Sequence, residues 1–399
     1  MNFSFYIAKR YLVSKSGNNA INIITILATA LVVVVTTVFF ILLSGFSGLK
    51  EFSLSFYKAS DPDIKITTTK GKTFLFDDKL QKLLEDKSIV SYAKVLEERA
   101  FFNYENKEHI AFIKGIDENY TKVVRMDTTV IAGRWLDAEF PYGVVVGNGI
   151  ANKLSMGVDF INPMRVYVPK PGHKYSMNKD NMVSSINTNS IGVFALVDDI
   201  DNKYVFAYLP IVQKLLNYPL NRVSALSLQL KEGINPNDFS TELQNRFGVD
   251  FKVQTRAQQN AVFYKMLNSE NLLLYFISTL LLIMALFNII GTIIMMIIDK
   301  KGNLKTLLSL GSNVKDLRRI FVYQGFLLTL VGLFTGLIIG GIVVYLQATY
   351  HLVKIHAQLA YPVAFEFKNI IIVTLTIVVL GYLSALLASS RINNKLLEA

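Results

Sequence analysis

Protein chemistry is mostly done by histidine, cysteine, paired carboxylates or glycine-rich phosphate loops, and this 399-residue chain offers few of them. It has no cysteine, which excludes disulfides, thiolate metal sites and a lipid-acceptor thiol. Of the histidines at 109, 173, 351 and 356, only His351 and His356 are near one another, and a pair in a loop lacks the further ligands a metal needs. No G-x-x-x-x-G-K-[ST] phosphate loop occurs, and no serine–histidine–acid set can be assembled. The chain is therefore expected to be non-catalytic and to hold no cofactor or metal. Any energy it uses must enter through a partner.

The segment best suited to receive such energy is NLKTLLSLGSNVKD, Asn303 to Asp316. Leu304, Leu307 and Leu308 stand at i, i+3 and i+4 and share one helical face, while Lys305 and Thr306 point elsewhere. Gly311 stops the helix, and Asn313 with Asp316 supplies a cap and a third-position acid for the next one. Such a helix can lie flat in lipid headgroups or seat as a knob in a partner's groove. The second is expected, through Asn303, Leu304, Leu307, Leu308, Leu310 and Gly311.

The elements around this segment follow from hydropathy. The chain is 52% hydrophobic and only 18% charged, too apolar for an ordinary soluble protein and too charged to lie wholly in a membrane. Four runs, near Ile21–Leu43, Leu272–Ile298, Ile320–Tyr345 and Ile370–Leu387, reach the roughly 20 apolar residues that a bilayer core requires. The first follows Lys9, Arg10 and Lys15 but is too long for a signal-peptide core, and it reads as an uncleaved anchor. Basic residues dominate the amino-terminal segment and the 299–319 link (Lys300, Lys301, Lys305, Lys315, Arg318, Arg319 against Asp299 and Asp316). The positive-inside rule then places both termini and that link in the cytoplasm. The net charge of +11 is explained by anionic lipid facing these edges, with no need for nucleic acid.

The expected fold is an α-helical membrane protein with four transmembrane helices and a large extracytoplasmic α+β domain of two lobes inserted between the first and second. In numbers, a cytoplasmic segment 1–20 precedes a span at 21–45 and an outer domain at 46–268. Further spans at 269–298, 320–346 and 369–388 enclose a cytoplasmic link 299–319 and a short outer loop 347–368, and 389–399 is a cytoplasmic tail. In the outer domain, DIKITT, a helix with Leu80, Leu83 and Leu84, the alternating SALSLQL, and a helix with Phe239, Leu243 and Phe247 define two β-α-β units. These build lobe one from about 50–115 and 220–265, with 116–219 inserted as lobe two. Lys170–Ser190 is polar, basic and aperiodic, which predicts an exposed loop of about 20 residues, a length usually functional or disordered. Both ends of the domain continue the adjoining spans as helical stalks.

The spans contain no ionisable residue in their interiors, unlike ion-coupled carriers and voltage sensors. Asn22 lies near an edge, and Asn288, in mid-span, is expected to hydrogen-bond to a neighbouring helix, with contact to a substrate as the alternative. Gly325, Gly332, Gly336 and Gly340 form a small-residue stripe that predicts close helix packing.

Several stretches resemble the FtsX/MacB-type ABC permeases, and most closely the Lol lipoprotein-releasing permeases. They are IAKRYLVSKSGNNAINIITILATALVVVVTTVFFILLSGFSGLKEF, GRWL…GVVVGNGIANKLSMGVD…MRVYVPK with IGVFALV, QTRAQQNAVFYKMLNSENLLLYFI, DKKGNLKTLLSLGSNVKDLRRIFVYQGFLLTLVGLFTGLIIGG and YPVAF. The resemblance covers nearly the whole chain in order. It implies a permease dimer, of two copies or with a paralogue, working with two copies of a cytoplasmic ATPase that holds ATP and Mg. It implies a lipoprotein substrate taken from the outer leaflet of the bacterial inner membrane and a periplasmic carrier that receives it. Carried onto this sequence, the ATPase-coupling helix is Asn303–Leu310, and the carrier-binding hook falls within Pro169–Ser190, beginning Pro169, Lys170, Pro171, His173, Lys174 and Tyr175. The hook is longer and more basic than the family's, and the tail ALLASSRINNKLLEA lacks the family's Pro-Ala. A transmembrane relay to cell-wall hydrolysis and an efflux or resistance permease are the other functions this family resemblance leaves open.

Overall fold

Alternation of period two and an apolar period near 3.6 divide this chain cleanly, and its contacts divide the same way. The computed structural model describes residues 3–13, 19–137, 139–170, 183–356 and 359–392. One unit comprises Met1–Ser53 with Lys265–Ala399, and the other Leu54–Tyr264. In chain order the helices begin with α1 (Phe3–Val13) and α2 (Asn19–Ser60). The outer unit follows as β1 (Ile64–Thr68), β2 (Phe74–Leu75), α3 (Asp78–Leu83), β3 (Ile89–Tyr104), β4 (Lys107–Ile116), α4 (Tyr120–Val123), β5 (Val130–Gly133), β6 (Gly143–Gly147), α5 (Asn148–Leu154), β7 (Asp159–Pro169), β8 (Val183–Phe194), α6 (Asp198–Asp201), β9 (Tyr204–Tyr208), α7 (Leu209–Leu215), β10 (Arg222–Val223), β11 (Ala225–Leu230), α8 (Pro236–Phe247), β12 (Phe251–Thr255) and α9 (Arg256–Gln259). Then come α10 (Ala261–Asp299), α11 (Lys301–Ser309), α12 (Val314–Tyr350), β13 (Lys354–His356), β14 (Leu359–Ala360) and α13 (Phe367–Ser389).

In the outer unit, β12, β1, β11 and β3 lie side by side and antiparallel. Helix α3 crosses from β1 to β3 and α8 from β11 to β12, a split β-α-β arrangement. Asp77 caps α3 by accepting from the Leu80 N–H, and Asn235 caps α8 by accepting from the Asn237 N–H. The apolar faces of the two helices, with Leu80, Phe239, Leu243 and Phe247, join Ile64, Ile66, Leu226 and Leu228 in one core. The long strand β3 then continues into a second structure. Strands β3, β4, β9, β6, β8 and β7 pair in a closed ring, so neither edge of that barrel is left to pair with another chain. Successive residues face different cores: Val144 and Val146 enter one cluster and Val145 the other.

One buried carboxyl stands out in this unit. Asp201 accepts from the Leu196 N–H at 2.9 Å, yet burial, with a smaller contribution from Asp198, pushes its pKa up to about 6.

The other unit holds four helices long and apolar enough to cross a membrane. Helix α10, with 39 residues, is about 58 Å long at 1.5 Å per residue, nearly twice the roughly 30 Å of a hydrocarbon core. Helix α12 is the hub. A Cβ on Gly332, Gly336 or Gly340 would lie within 2.5–3.1 Å of Val32, Thr36 or Phe40 of α2, and Thr37 Oγ1 donates to the Gly336 carbonyl at 3.1 Å. Gly325 instead faces Ile293 of α10 and Ala385 of α13, while Gly381 of α13 admits Thr329. The stripe therefore serves three neighbours, since adjacent helices diverge along α12.

The segment between α12 and α13 is strapped down. The Gln347 amide donates to the carbonyls of Val353 (2.8 Å) and Tyr361 (3.0 Å), and its oxygen accepts from the Val353 N–H. Beyond it, the Ala364 N–H donates to the Ser44 carbonyl at 3.0 Å, and Val363 lies on Gly48, where a Cβ would come within 2.4 Å of its Cα. Real Cβ atoms do not approach backbone so closely, so only glycine fits there.

Two outcomes follow from these features. Gly48→Ala should lower the thermal unfolding temperature of the detergent-solubilised chain, while Gly341→Ala, with only a Phe365 ring carbon 3.9 Å away, should not. For Asp201, a folded pKa above the unfolded one means that the folded state binds the proton more tightly, so this residue's unfavourable contribution grows as pH rises through about 6. The stability advantage of Asp201→Asn over the natural chain should therefore widen between pH 5 and pH 8. Equal differences at both pH values would contradict it.

Candidate functional site

The link between the second and third spans is built as a helical elbow. Helix α11 ends in a Schellman motif: the Gly311 N–H donates to Leu308 O and the Ser312 N–H to Leu307 O, with Gly311 at φ +94°. Helix α12 then opens at Asn313, whose backbone is extended but whose side chain makes no cap hydrogen bond. The expected cap is replaced by backbone bonding, and Asp316 pairs loosely with Arg319 at 3.7 Å.

Leu304 turns inward, so of the three face leucines it alone is closed to a partner. Leu304 is fully buried with Leu317, Ile320 and Phe321, and Leu307 and Leu308 are half-buried against the same core. Burial against its own chain covers Leu304 fully and Leu307 and Leu308 in part. What α11 presents to solvent is Asn303, Lys305, Thr306, Ser309 and Leu310, the last 77% exposed, followed by Gly311 with open space around it. Of the six expected contact residues, Asn303, Leu310 and Gly311 are exposed, Leu307 and Leu308 are half-buried, and Leu304 is buried.

Two neighbours of this elbow lack any strong sequence signal. Helix α1 packs against the start of α12: Ser4 Oγ donates to the Asp316 carbonyl at 3.1 Å, Ala8 is fully buried, and Phe5 meets Tyr323 edge-on at 5.8 Å. Below it, Arg318 Nε donates to the Ile392 carbonyl at 2.7 Å, and Ile392 is itself buried. The alternation of Ser4, Ala8 and Ile7 with exposed Lys9 and Arg10 was the only clue to that helix.

In the outer unit, the expected hook emerges from a long β hairpin. Strands β7 and β8 pair out to Pro169↔Val183, so Val183–Ser190 is strand, and the exposed loop is shorter than the sequence predicts. The polar run keeps strand alternation, with Ser184, Ile186 and Thr188 on the more buried face and Val183, Ser185 and Asn187 exposed on the other. Pro169 is exposed and Lys170 half-buried at the hairpin's end; Pro171, His173, Lys174 and Tyr175 lie outside the described residues. Two grooves flank the hairpin base. One, of about 740 Å³, is lined by Tyr142, Lys170, Lys214 and Asn217; the other, of about 810 Å³, by Phe101, Ile110, Tyr167, Pro169 and Val183 with Arg99 and Glu108.

A third assembly, missed in the sequence, joins the outer end of α2 to the start of α10. The Asn260 amide donates to Asp61 Oδ2 at 2.6 Å; Arg256 Nε donates to the Asp61 carbonyl and its Nη2 to Asp63 Oδ1, both at 3.0 Å. Tyr57 and Phe263 rings stack at 4.7 Å. Thr255 and Gln258 form a capping box that fixes the backbone carrying Arg256. Nearby, Lys114 is buried with its ammonium 5.0–5.5 Å from the rings of Tyr120, Tyr204 and Phe206. Burial holds its pKa down, while Glu97 and Asp61 oppose that. These groups fix strands; with no nucleophile or ligand cluster among them, they offer no reaction.

Asn288 lies on the exposed face of α10, because Leu282, Ala285, Leu286, Ile289 and Ile293 take the packed side. Among the described residues no set of three or more potential metal ligands comes together.

Four apolar helices with an α+β domain between the first and second, joined by a short helical link under the third, define a multi-pass permease with an extracytoplasmic domain. The model of the MacB-like periplasmic core domain matches residues 23–246 and that of the FtsX-like permease C-terminal region matches 275–397. The chain belongs to the FtsX/MacB-like ABC transporter permease family. It is 22% identical over 408 residues to the lipoprotein-releasing system transmembrane protein LolC of Xylella fastidiosa, covering 97% of this chain and 96% of that one. It is likewise 22% identical over 349 residues to LolE of Haemophilus influenzae, covering 85% and 82%. Among solved structures it is similar to the periplasmic region of MacB from Actinobacillus actinomycetemcomitans (13% identity, TM-score 0.37, 52% of this chain and 94% of that one).

The inward turn of Leu304 sets a contrast that mutation can read. Leu304→Asp should reduce the yield of folded protein, since it buries an unpaired charge at a cost of several kcal/mol. Leu310→Asp should leave yield and unfolding temperature unchanged. Equal yields for the two variants would contradict the burial of Leu304.

Proposed function

We propose that this chain is the permease subunit of an ABC transporter that releases lipoproteins from the outer leaflet of the inner membrane and hands them to a periplasmic carrier. The observation that carries this reading is the similarity to LolC of Xylella fastidiosa over 97% of this chain and 96% of that one. A separate ATPase, loaded with ATP and Mg, engages the cytoplasmic face, and the family resemblance calls for two permease chains, as two copies or with a paralogue, with two ATPases.

The exposed edge of α11, with Asn303, Lys305, Thr306 and Leu310, receives the ATPase. Buried Leu304 then moves α12 rather than the ATPase, because it belongs to one packed core with it. Displacement travels along α2 and α10, whose outer ends are tied by Asp61, Asp63, Arg256 and Asn260. The hairpin ending at Pro169 and Val183 presents the carrier-binding hook. Substrate is extracted at the side of the helices and does not pass through a pore.

Depleting the chain should strand outer-membrane lipoproteins in the inner membrane, read by membrane fractionation. Septation or wall defects with normal sorting would favour a relay to wall hydrolysis instead. Within the complex, Arg256→Ala should cut lipoprotein release several-fold while ATP hydrolysis continues; parallel loss of both would remove the clamp from the transmission path.

A further inference from the structure

Among the described strands of the outer unit's sheet, β12 and β5 stand at the two ends. Along one side β12 pairs with β1, Lys65 opposite Gln254 and Thr67 opposite Lys252. The outward peptide groups of an end strand are a template for pairing with another chain. On β12 side chains already occupy them. Helix α8 turns Leu243 into the core, and the next residue, Gln244, reaches over the edge of β12. Its Oε1 accepts from the Val253 N–H at 2.9 Å, and its Nε2 donates to the Phe251 and Gly248 carbonyls, both at 2.8 Å. These partners fix which end of the amide is oxygen and which is nitrogen. Further along, the Thr255 N–H donates to Gln258 Oε1 at 2.9 Å, and Gln259 Nε2 donates to the Gln254 carbonyl at 3.2 Å. Bonding to the carbonyl of Phe251 and the N–H of Val253, on either side of Lys252, is the pattern that a residue of a parallel neighbouring strand makes. One carboxamide stands in for a missing strand.

We propose that Gln244 is a plug that closes the β12 edge against a second copy of this chain. The groups it covers, at Phe251 and Val253, are those an antiparallel copy of β12 needs. Set with Phe251 opposite Val253 in both directions, two such strands satisfy each other's outward N–H and C=O groups. That register is two-fold symmetric, and it brings the two Lys252 Cα atoms about 4.5 Å apart. Lys252 is exposed, so the natural chain adds a second obstacle, like charges directly opposite one another. The strand itself is held in place from behind. Val253 is buried, and the Phe251 ring meets those of Phe74 and Phe247 at 5.1 and 5.5 Å. Removing the plug therefore leaves an extended edge able to pair. This role is independent of what the chain transports.

Gln244→Met keeps the length and bulk of the side chain and removes its hydrogen bonds. In the full-length chain in mild detergent, hydrogen–deuterium exchange at the Val253 amide should quicken about tenfold, the weight of one net hydrogen bond. Leu226 and Leu228 of β11 should exchange as before. Because the chain has no cysteine of its own, pairing can be read directly. Gln244→Met combined with Lys252→Cys should give disulfide-linked copies on oxidation, and Lys252→Cys with Gln244 intact should stay unlinked. Equal cross-linking with and without Gln244, no cross-linking in either, or unchanged exchange at Val253 would each overturn the plug. Faster exchange at Leu226 and Leu228 as well would show that Gln244 supports the whole fold, which also overturns it.

Discussion

Everything in the membrane unit depends on how closely helix backbones can approach α12. Lipid chains are as apolar as leucine, so burying leucine between helices gains little; close packing and a few hydrogen bonds must hold the bundle. Gly332, Gly336 and Gly340 let α2 come near enough for Thr37 to reach a carbonyl of α12. Gly381 does the same for Thr329 from the other side. Helix α12 also leads directly out of the link that ends at Gly311, and Leu304 of that link shares one packed core with Leu317, Ile320 and Phe321 of α12.

Much of this was legible in the sequence, and what was not has physical reasons. Hydropathy located the four spans because a bilayer imposes one length and one polarity. Alternation in SALSLQL and the i, i+4, i+8 spacing of Phe239, Leu243 and Phe247 placed residues that are buried in one core. A helical wheel, however, shows that Leu304, Leu307 and Leu308 share a face without showing what that face meets, and the structure buries Leu304 fully and the other two in part. Asn288, one polar residue in an apolar run, has no periodicity of its own to show which side of α10 it takes. The closed ring of strands depends on β3 pairing with β7, more than sixty residues later in sequence, which no local pattern encodes. Helix α1 and the strap at 361–364 are short, and their fit is decided by Ala8 and Gly48, residues without side chains long enough to signal anything.

The outer unit divides its labour between residues that fix and residues that face solvent. Buried Lys114 and half-buried Glu97 and Tyr204 sit among strands, with Tyr204 donating to Glu97 at 3.3 Å. Two grooves flank the β7–β8 hairpin where Pro169 pairs with Val183. A rigid frame carrying one projecting hairpin is suited to presenting a small epitope reproducibly, since loops positioned by a scaffold bind with less ordering cost.

The way β3 and β11 meet has an evolutionary consequence. The chain leaves the split β-α-β fold near Val95 and comes back at Ala225, and those two residues are register partners on adjacent strands, about 5 Å apart. Everything between them, the whole barrel and its hairpin, is thus a graft whose two stumps touch. The barrel nevertheless packs Val144, Val146 and Val166 into the same apolar cluster as Ile64 and Leu228 of the host sheet, so a module exchanged at these stumps must refill that shared core.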